Sequence, residues 1–505
     1  MITVDDISNV RPRFYRELNN QGYQGNKYRY EVFQENFLAE IDPSGHKIND
    51  PSIYENIRKQ IPRKDGFGNE IKDENGNLIM NMVEIPIERV SIPLQQVIKT
   101  KHVSNITAES TKFTHLKLNA SEKEQAIFVS QKNGWVTKNM ETAKYEFIDS
   151  VKTVGDAAFC AIMYKGKLSY KVFSKLNGDK LHPIFDSMDN LKVFGREYTV
   201  YDYANREETY QFEIWDDKYL STYKYTTDSS DTVSFAWDED DDYIMKSTET
   251  NKIDGWKLIK REPHGFSHNP IVYVKNTKGA CWSPVQNLID KLEVALSQLA
   301  ENNKSYAFRI MVIKGGCSIQ GDLRGEARAI LLDDDKSDAK FLDKADASNT
   351  FELQLKTLLQ HILLGSFVVV PPDVNGDVSG VAVKILYSPA FEQGVEDINF
   401  FNKSLDNIFK LFQEGYGIEM GDVVGYKALQ VRADMIPYIP QNENEKQQNL
   451  TLGVQNGYLS KESAADQNTA YSSPDEKSRL VKQDEYESEL EADSQRAQLV
   501  GNETV

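Results

Sequence analysis

Two long stretches of helical periodicity constrain this chain most, because each is striped too regularly to be anything else and they lie close together in sequence. From Ser283 the order Ser-Pro-Val-Gln reads as a helix start: Ser283 is placed to cap, Pro284 sits at the first helical position and Gln286 completes a capping box. The apolar stripe runs Val285, Leu288, Ile289, Leu292, Leu296, Leu299 and Ala307, with Asp290, Lys291, Glu293, Gln298, Glu301 and Lys304 on the opposite face. A helix lasting to Arg309 would be about 39 Å long. The second stretch begins near Asn349, with Glu352 placed to return the cap, and is striped by Phe351, Leu355, Leu358, Leu359, Ile362 and Phe367.

Residues 310–348, between the two, carry a β-like run from Ile310 to Ile313, the glycines Gly315, Gly316, Gly321 and Gly325, a strand candidate Ala327 to Leu332, the acids Asp333 to Asp335, and Lys340-Phe341-Leu342. Two helices therefore carry a small α/β knob. After the second helix comes Val368-Val369-Val370, then Pro371 and Pro372, then a Gly-punctuated loop to Gly380. The paired prolines exclude helix at Val370, so the helix ends before it and the chain leaves either as a stiff arm or, if the three valines pair, as a short strand. Pro389 to Tyr416 reads as a further long helix striped by Phe391, Val395, Ile398, Phe401, Leu405, Ile408, Phe409 and Phe412, weakened near its start by Gly394.

Elsewhere, polar and aromatic-studded residues 1–60 read as helical arms that pack on a neighbour. Asp73-Glu74-Asn75-Gly76-Asn77 carries a type I′ hairpin signal but reads better as an ordinary surface turn. The stretch Ser121 to Tyr145 has helical spacing at Ile127, Phe128, Trp135 and Met140, Phe147 to Asp186 reads as β-rich with a turn at Lys165-Gly166-Lys167, and strands continue from Glu197 to Trp215 and from Tyr219 to Tyr225 with exposure on both faces. Val431 to Ile439 is strand-like, and Ser473-Pro474-Asp475-Glu476 opens a final polar helix.

The chemistry-bearing candidates resolve into structural features. Five adjacent carboxylates, Asp238 to Asp242, lack the glycine and alternating spacing of a calcium loop and read as a solvated turn. Gly316 to Gly321 has the length of a phosphate-binding loop, but Asp322-Leu323 stands where lysine and a hydroxyl residue are required. His264 and His268, the nearest pair among seven histidines, flank a turn between prolines and read as turn hydrogen-bonding rather than metal ligation. Cys160, Cys281 and Cys317 form neither a disulfide framework nor a zinc pattern, and no nucleophile elbow or Cys/His arrangement is present. No catalytic residue, metal or cofactor is therefore expected. The net charge of −18 argues against gripping a nucleic-acid backbone by bulk charge. No apolar run is long enough to span a membrane, so a soluble cytoplasmic product with no membrane partner is expected.

The order of these features resembles the portal proteins of tailed bacteriophages, of the Siphovirus type. The similarity rests on Gly265 with Asn269-Pro270-Ile271-Val272, on Leu288-Ile289-Asp290 and Asn302-Asn303, on Ser379-Gly380-Val381-Ala382, and on Gly457-Tyr458-Leu459-Ser460 leading into Lys461-Glu462-Ser463. It covers about residues 94–465. The resemblance implies an α+β, elongated, portal-like subunit: an N-terminal arm (1–93), a β-rich and helical wing (94–282), a two-helix stem (283–309 and 349–366) packed through Leu288, Leu292, Leu296, Leu355 and Leu359, a small α/β clip (310–348), a tunnel loop (367–385), a long spine helix with wing return (386–440), and a helical crown with acidic tail (441–505). It further implies a homo-oligomeric ring, a dodecamer, at a capsid vertex of the virion, with the major capsid protein, terminase large subunit, head-completion adaptor proteins and double-stranded DNA as partners. Gly316, Asp322, Arg324 and Asp334 would dock the partners at the clip. Pro371, Pro372, Asp373, Val374, Asn375, Gly376, Asp377, Val378 and Ser379 would face the DNA channel. The acidity serves either an unsticky channel wall or plain solubility, and a cytoplasmic scaffold or adaptor without a DNA role is the other reading.

Overall fold

The computed structural model describes residues 23–24, 27–63, 70–73, 75–76, 78–117, 119–186, 188, 190–203, 206–225, 234–237, 243–246, 256–307, 311–314, 317–320, 329–332, 338–341, 348–370, 380–438, 443–461, 463–464, 479, 482–483 and 486. Within them the chain is α+β, and every described strand pair is antiparallel. It divides into two compact units: Met1–Val370 with Glu392–Tyr438, and Pro371–Phe391 with Ile439–Val505.

The larger unit opens with a short ribbon, β1 (Tyr23–Gln24) and β2 (Lys27–Tyr28), and then α1 (Arg29–Ile41). Helix α1 packs within its own chain. Phe37 is buried against Trp282 in its own chain, and Gln34 donates to Asp156 Oδ1 at 2.6 Å. Strands β3 (Ile57–Pro62) and β4 (Met80–Ile85) pair as a hairpin, and within their connection the Gly76 amide on Asp73 O, with Gly76 at φ 81°, closes the turn of a Lys72–Leu78 bridge. Asn75, a central residue of that turn, is not left-handed, so the turn is not type I′.

Helix α2 (Leu94–Thr107) buries Ile98, Val103 and Ile106, and β5 (Lys112–His115) follows. The helical reading of Ser121 to Tyr145 resolves into two helices, α3 (Glu122–Thr137), opened by the Ser121–Glu124 capping box, and α4 (Met140–Val154), separated by Asn139 at φ 55°. Here one expectation is corrected: Phe147 to Val154 is helix, not strand. Helix α4 is buried on almost every side, Ser150, Lys152 and Thr153 included, and the β-branched Ile148, Val151, Thr153 and Val154 of its last turns carry strand propensity, so no clean helical stripe marks it.

The β-region begins at β6 (Asp156–Tyr164), turns at Lys165 (φ 50°) and Gly166 (φ 75°) into β7 (Lys167–Phe173), and is completed by β15 (Ile271–Lys275) on the other edge. Both turn residues have positive φ, as a two-residue type I′ loop demands, which explains Gly166. A five-stranded meander comprises β8 (Lys180–Phe185), β9 (Leu191–Asp202), β10 (Glu207–Trp215), β11 (Tyr219–Tyr225) and β14 (Trp256–Pro263), with the ribbon β12 (Ser234–Trp237) and β13 (Tyr243–Lys246) between the last two. Exposure on both faces is confined to its far end. Near the paired Phe194 and Trp215, one face packs on the three-stranded sheet through Phe173 and Ile271, and Val193, Phe212 and Ile214 on the other face are buried too.

Helix α5 (Gln286–Ala307) leads into two ribbons, β16 (Met311–Lys314) with β19 (Asp338–Phe341) and β17 (Cys317–Gln320) with β18 (Ala329–Leu332), before α6 (Ser348–Gly365). After the short α7 (Gly380–Leu386) comes α8 (Ser388–Met420), the spine of the main core: Phe401, Leu405, Ile408, Phe409 and Phe412 sink among Trp135, Phe147 and Phe159. Its first stripe residues, Phe391 and Val395, stay more than a third exposed. Helix α9 (Val423–Ala428), capped by Asp422, and β20 (Val431–Asp434), paired with β5, close the larger unit.

In the smaller unit, α10 (Glu443–Gln455) ends at Gly457 with φ 72°, and the Tyr458 and Leu459 amides donate back to Gly453 O. Ser460 Oγ then accepts from the Ser463 amide, the expected helix start. The acidic run 238–242 and the Ser473 cap lie outside the described residues.

Candidate functional site: the helix pair and the loop root

Helices α5 and α6 bury the stripes that the spacing marks out. Val285, Ile289, Leu292 and Ile362 are buried in one cluster, with Leu288, Leu296, Leu355 and Leu358 packed against it. Leu359 does not join and is 40% exposed. With Leu355, Leu358 and Ile362 turned inward, Leu359 falls about 40° beyond Leu355, at the edge of that stripe. At Gly365 the helices touch so closely that a β-carbon would lie 2.9 Å from Val285 Cγ1.

The helix start differs from expectation. Ser283 to Val285 form a 3-10 turn with Trp282 in the cap position, and the Ser283 hydroxyl has no partner. Gln286 cannot return a cap because its amide is engaged, accepting from Gln95 at 3.1 Å and donating to Asp290 at 2.7 Å.

Glu293, expected on the solvent face, is 1% exposed. Its carboxylate takes His46 Nδ1 at 2.6 Å and the Ile92 amide at 2.8 Å, while His46 Nε2 donates to Glu40 O at 2.8 Å. Both ring nitrogens face acceptors, so the geometry calls for an imidazolium paired with a carboxylate. Burial works against that charge, but the hydrogen bond and charge of Glu293 outweigh it and raise the His46 pKa above its ordinary value. Around this pair the chain is strapped along α5: Val90 N–H donates to Ser297 Oγ at 2.9 Å, Lys304 pairs with Glu88 at 2.5 Å and Lys47 with Asp290 at 2.7 Å. No pattern in the sequence signals Glu293 as interior, since its partners come from segments over 200 residues away.

At the other end of α6 the chain is set up to leave. The Val368 amide donates to Leu363 O and the Phe367 amide to Leu364 O, a Schellman closure with Phe367 left-handed at φ 56° and Val368 buried. The helix therefore ends at Gly365, before Val370 as the prolines require. Phe367 belongs to this closure and not to the helical stripe, and it is 41% exposed. Val368 to Val370 adopt no strand. His102 Nε2 holds Ser366 O at 2.7 Å, and burial together with the Lys152 charge lowers the His102 pKa, keeping the ring neutral. Beside it Lys152 and Asp397 form a buried ion pair at 2.5 Å, with Gln393 also donating to Asp397 Oδ1 at 3.0 Å. These groups line a cavity of about 420 Å³ with Cys281 and Phe401. Burial pushes the Cys281 thiol up to about 12, so it is inert.

His264 is used as a turn residue: Nε2 donates to Asp216 O at 3.1 Å and Nδ1 accepts from the Phe266 amide. Among the described residues no cluster of His, Cys, Asp and Glu could hold a metal ion, and no helix is long and apolar enough to cross a membrane. The loop Pro371 to Ser379 and the knob residues Gly316, Asp322, Arg324 and Asp334 lie outside the described residues.

The profile of one family, "Phage portal protein, SPP1 Gp6-like", matches residues 27–495. The chain belongs to this family. As a portal protein it is a structural component of the phage capsid. The match extends beyond the resemblance read from the sequence, taking in α1, the β3–β4 hairpin and most of the acidic tail. No curated relative matches. Solved structures similar to this portal chain include the virion of a native gene transfer agent particle, at 12% identity over 73% of this chain and 87% of that one with a TM-score of 0.36. A second is the neck of an empty gene transfer agent particle, at 12% identity over 73% and 88% with a TM-score of 0.37.

Proposed function

We propose that this chain is the repeating subunit of a ring at the capsid vertex that conducts double-stranded DNA during packaging and ejection. The observation that carries the reading is the family match over residues 27–495. The α5–α6 pair acts as the stem, the ribbons between its helices as the clip that meets the terminase motor and then the head-completion adaptor, and Pro371 to Ser379 as the channel loop. The Schellman closure and the His102 bond to Ser366 O support the last assignment, since they give the loop a fixed root on a buried framework. The loop offers Asp373 and Asp377 and no basic residue, so it meets the duplex by shape and weak polar contact, and the chain's charge of −18 lets a polyanion slide. The work is conduction, with no catalytic step in this subunit.

Negative-stain microscopy of the purified chain is the test. Rings with an axial hole are expected; particles without a hole would leave the scaffold reading in place. Within assembled rings, lengthening the loop at Gly376 by several residues should obstruct DNA passage without altering assembly, and deleting Gly316 to Asp335 should abolish packaging while the rest stays folded.

A further inference from the structure

The β3–β4 hairpin is an exposed apolar surface with no visible reason to be apolar in a lone subunit. Opposite residues in its register share a face, so Ile57, Ile61 and Val83 form one ridge, with Met80 and Met82 on the reverse. They are 44%, 41%, 39%, 43% and 62% exposed. Among the described elements each strand's substantial contacts are with the other. A free two-stranded ribbon is marginal in water, and one carrying this much bare apolar surface invites a partner. Its root is nevertheless firmly placed. Arg89 donates to Tyr54 O and to Asn56 Oδ1, each at 2.9 Å, clamping the entry to β3 against the segment that follows β4. That segment is bound along α5 through the Glu88, Val90 and Ile92 amides on Glu301, Ser297 and Glu293. The hairpin therefore projects from the flank of the helix pair.

A second bare apolar face lies on the same pair. Leu353 and Leu364 on α6 are 66% and 70% exposed, although α6 buries its opposite side against α5. Eleven residues apart, they fall on one face of the helix about 16 Å from each other. The ridge from Ile57 to Ile61 extends about 14 Å. A ring of identical subunits closes through a heterologous contact, in which each copy presents one surface and receives a different one. This chain carries two such surfaces, of matching length and both left bare among the described residues.

We propose that the Ile57–Ile61–Val83 ridge of one copy packs on the Leu353–Leu364 face of α6 in the next, so that every stem is braced by its neighbour's hairpin. The inference rests on the ring reading given above and adds the surface that closes it. It also explains why the hairpin strap is bonded so tightly along α5: a brace transmits load only if its root is fixed.

Disulfide trapping on the full-length chain tests the contact. Val83→Cys is combined with Leu353→Cys, and separately with Leu364→Cys, and the assembled protein is oxidised and run without reductant. At least one combination should give a ladder of dimers and higher multimers that neither single variant gives. Rings by microscopy without any ladder would overturn this contact and leave the ring reading standing; absence of rings in the unmodified chain would overturn both. A second measurement does not depend on cross-linking geometry. Ile57→Asp with Ile61→Asp, and Leu353→Asp with Leu364→Asp, alter only exposed positions, so circular dichroism and melting should match the parent. Each pair should raise the concentration at which rings dissociate at least tenfold by mass photometry. Parent-like dissociation in both pairs would overturn the proposal.

Discussion

Replacing His46 by alanine removes the one cation paired with Glu293 among the described residues. The carboxylate is 1% exposed and would keep only the Ile92 amide, since Ser297 Oγ points to the Glu293 backbone oxygen instead. Breaking a buried pair from one side costs about 3–5 kcal/mol, because the remaining charge is left desolvated. At about 1.4 kcal/mol per tenfold, the strap should open roughly a hundred- to a thousandfold more often, or beyond. Hydrogen exchange of the Val90 and Ile92 amides reads this directly. Removing both charges, with His46→Leu and Glu293→Leu together, should recover all but about 1 kcal/mol, since apolar replacement of a buried pair is close to neutral. The pH dependence has a definite sign. With its folded pKa raised above 6.5, His46 contributes stability that is fully present below pH 6.5 and is lost as pH rises through the folded value. Once intrinsic base catalysis is divided out, exchange in the strap should therefore quicken on the alkaline side in the parent and not in His46→Ala. A loss below about 1 kcal/mol in the single variant, or a double variant as damaged as the single, would refute the buried ion pair.

Phe367→Gly should stabilise α6 by about 0.5–1 kcal/mol, the left-handed penalty of about 1–2 kcal/mol being partly offset by glycine's added chain entropy, while Phe367→Val should destabilise it; differential scanning fluorimetry separates the two. Gly415→Ala would put a β-carbon 2.5 Å from Leu168 Cδ1, and a loss of about 1–3 kcal/mol in denaturant melts is expected. Leu292→Asp loses about 2–5 kcal/mol from the missing side chain before the buried carboxylate is counted, and size-exclusion chromatography should show no rings; rings of normal size would mean that the α5–α6 seam tolerates charge.

The apolar half of this fold was legible because burial and periodicity coincide. The stripes of α5, α6 and α8 predicted Ile289, Leu292, Ile362, Phe401 and Phe412 as interior, and all are buried. Periodicity failed where burial is on every side, as in α4, whose last turns read as strand. It also failed at helix ends. Ser283-Pro284-Val285-Gln286 has the composition of a capping box, but the cap depends on which hydrogen bonds the side chains find, and Gln286 finds Gln95, a residue far away in sequence.

The site was harder to read for a related reason: its pegs are polar residues whose role is set from outside their own element. Glu293 follows Leu292 on α5 as an ordinary solvent-face acid would, and only His46 and the Ile92 amide make it interior. His102 carries no motif, yet it fixes Ser366 O at the point where the chain turns out of α6. Lys152 and Asp397 sit on helices α4 and α8 and hold the wall beside that point. Three separate parts of the chain thus converge on the root of one loop through neutral histidine, ion pair and helix closure. The Pro371-Pro372 signal located the exit from the helix to within a few residues, because proline geometry is local. What makes the exit firm is tertiary, and tertiary polar contacts leave no period in a sequence.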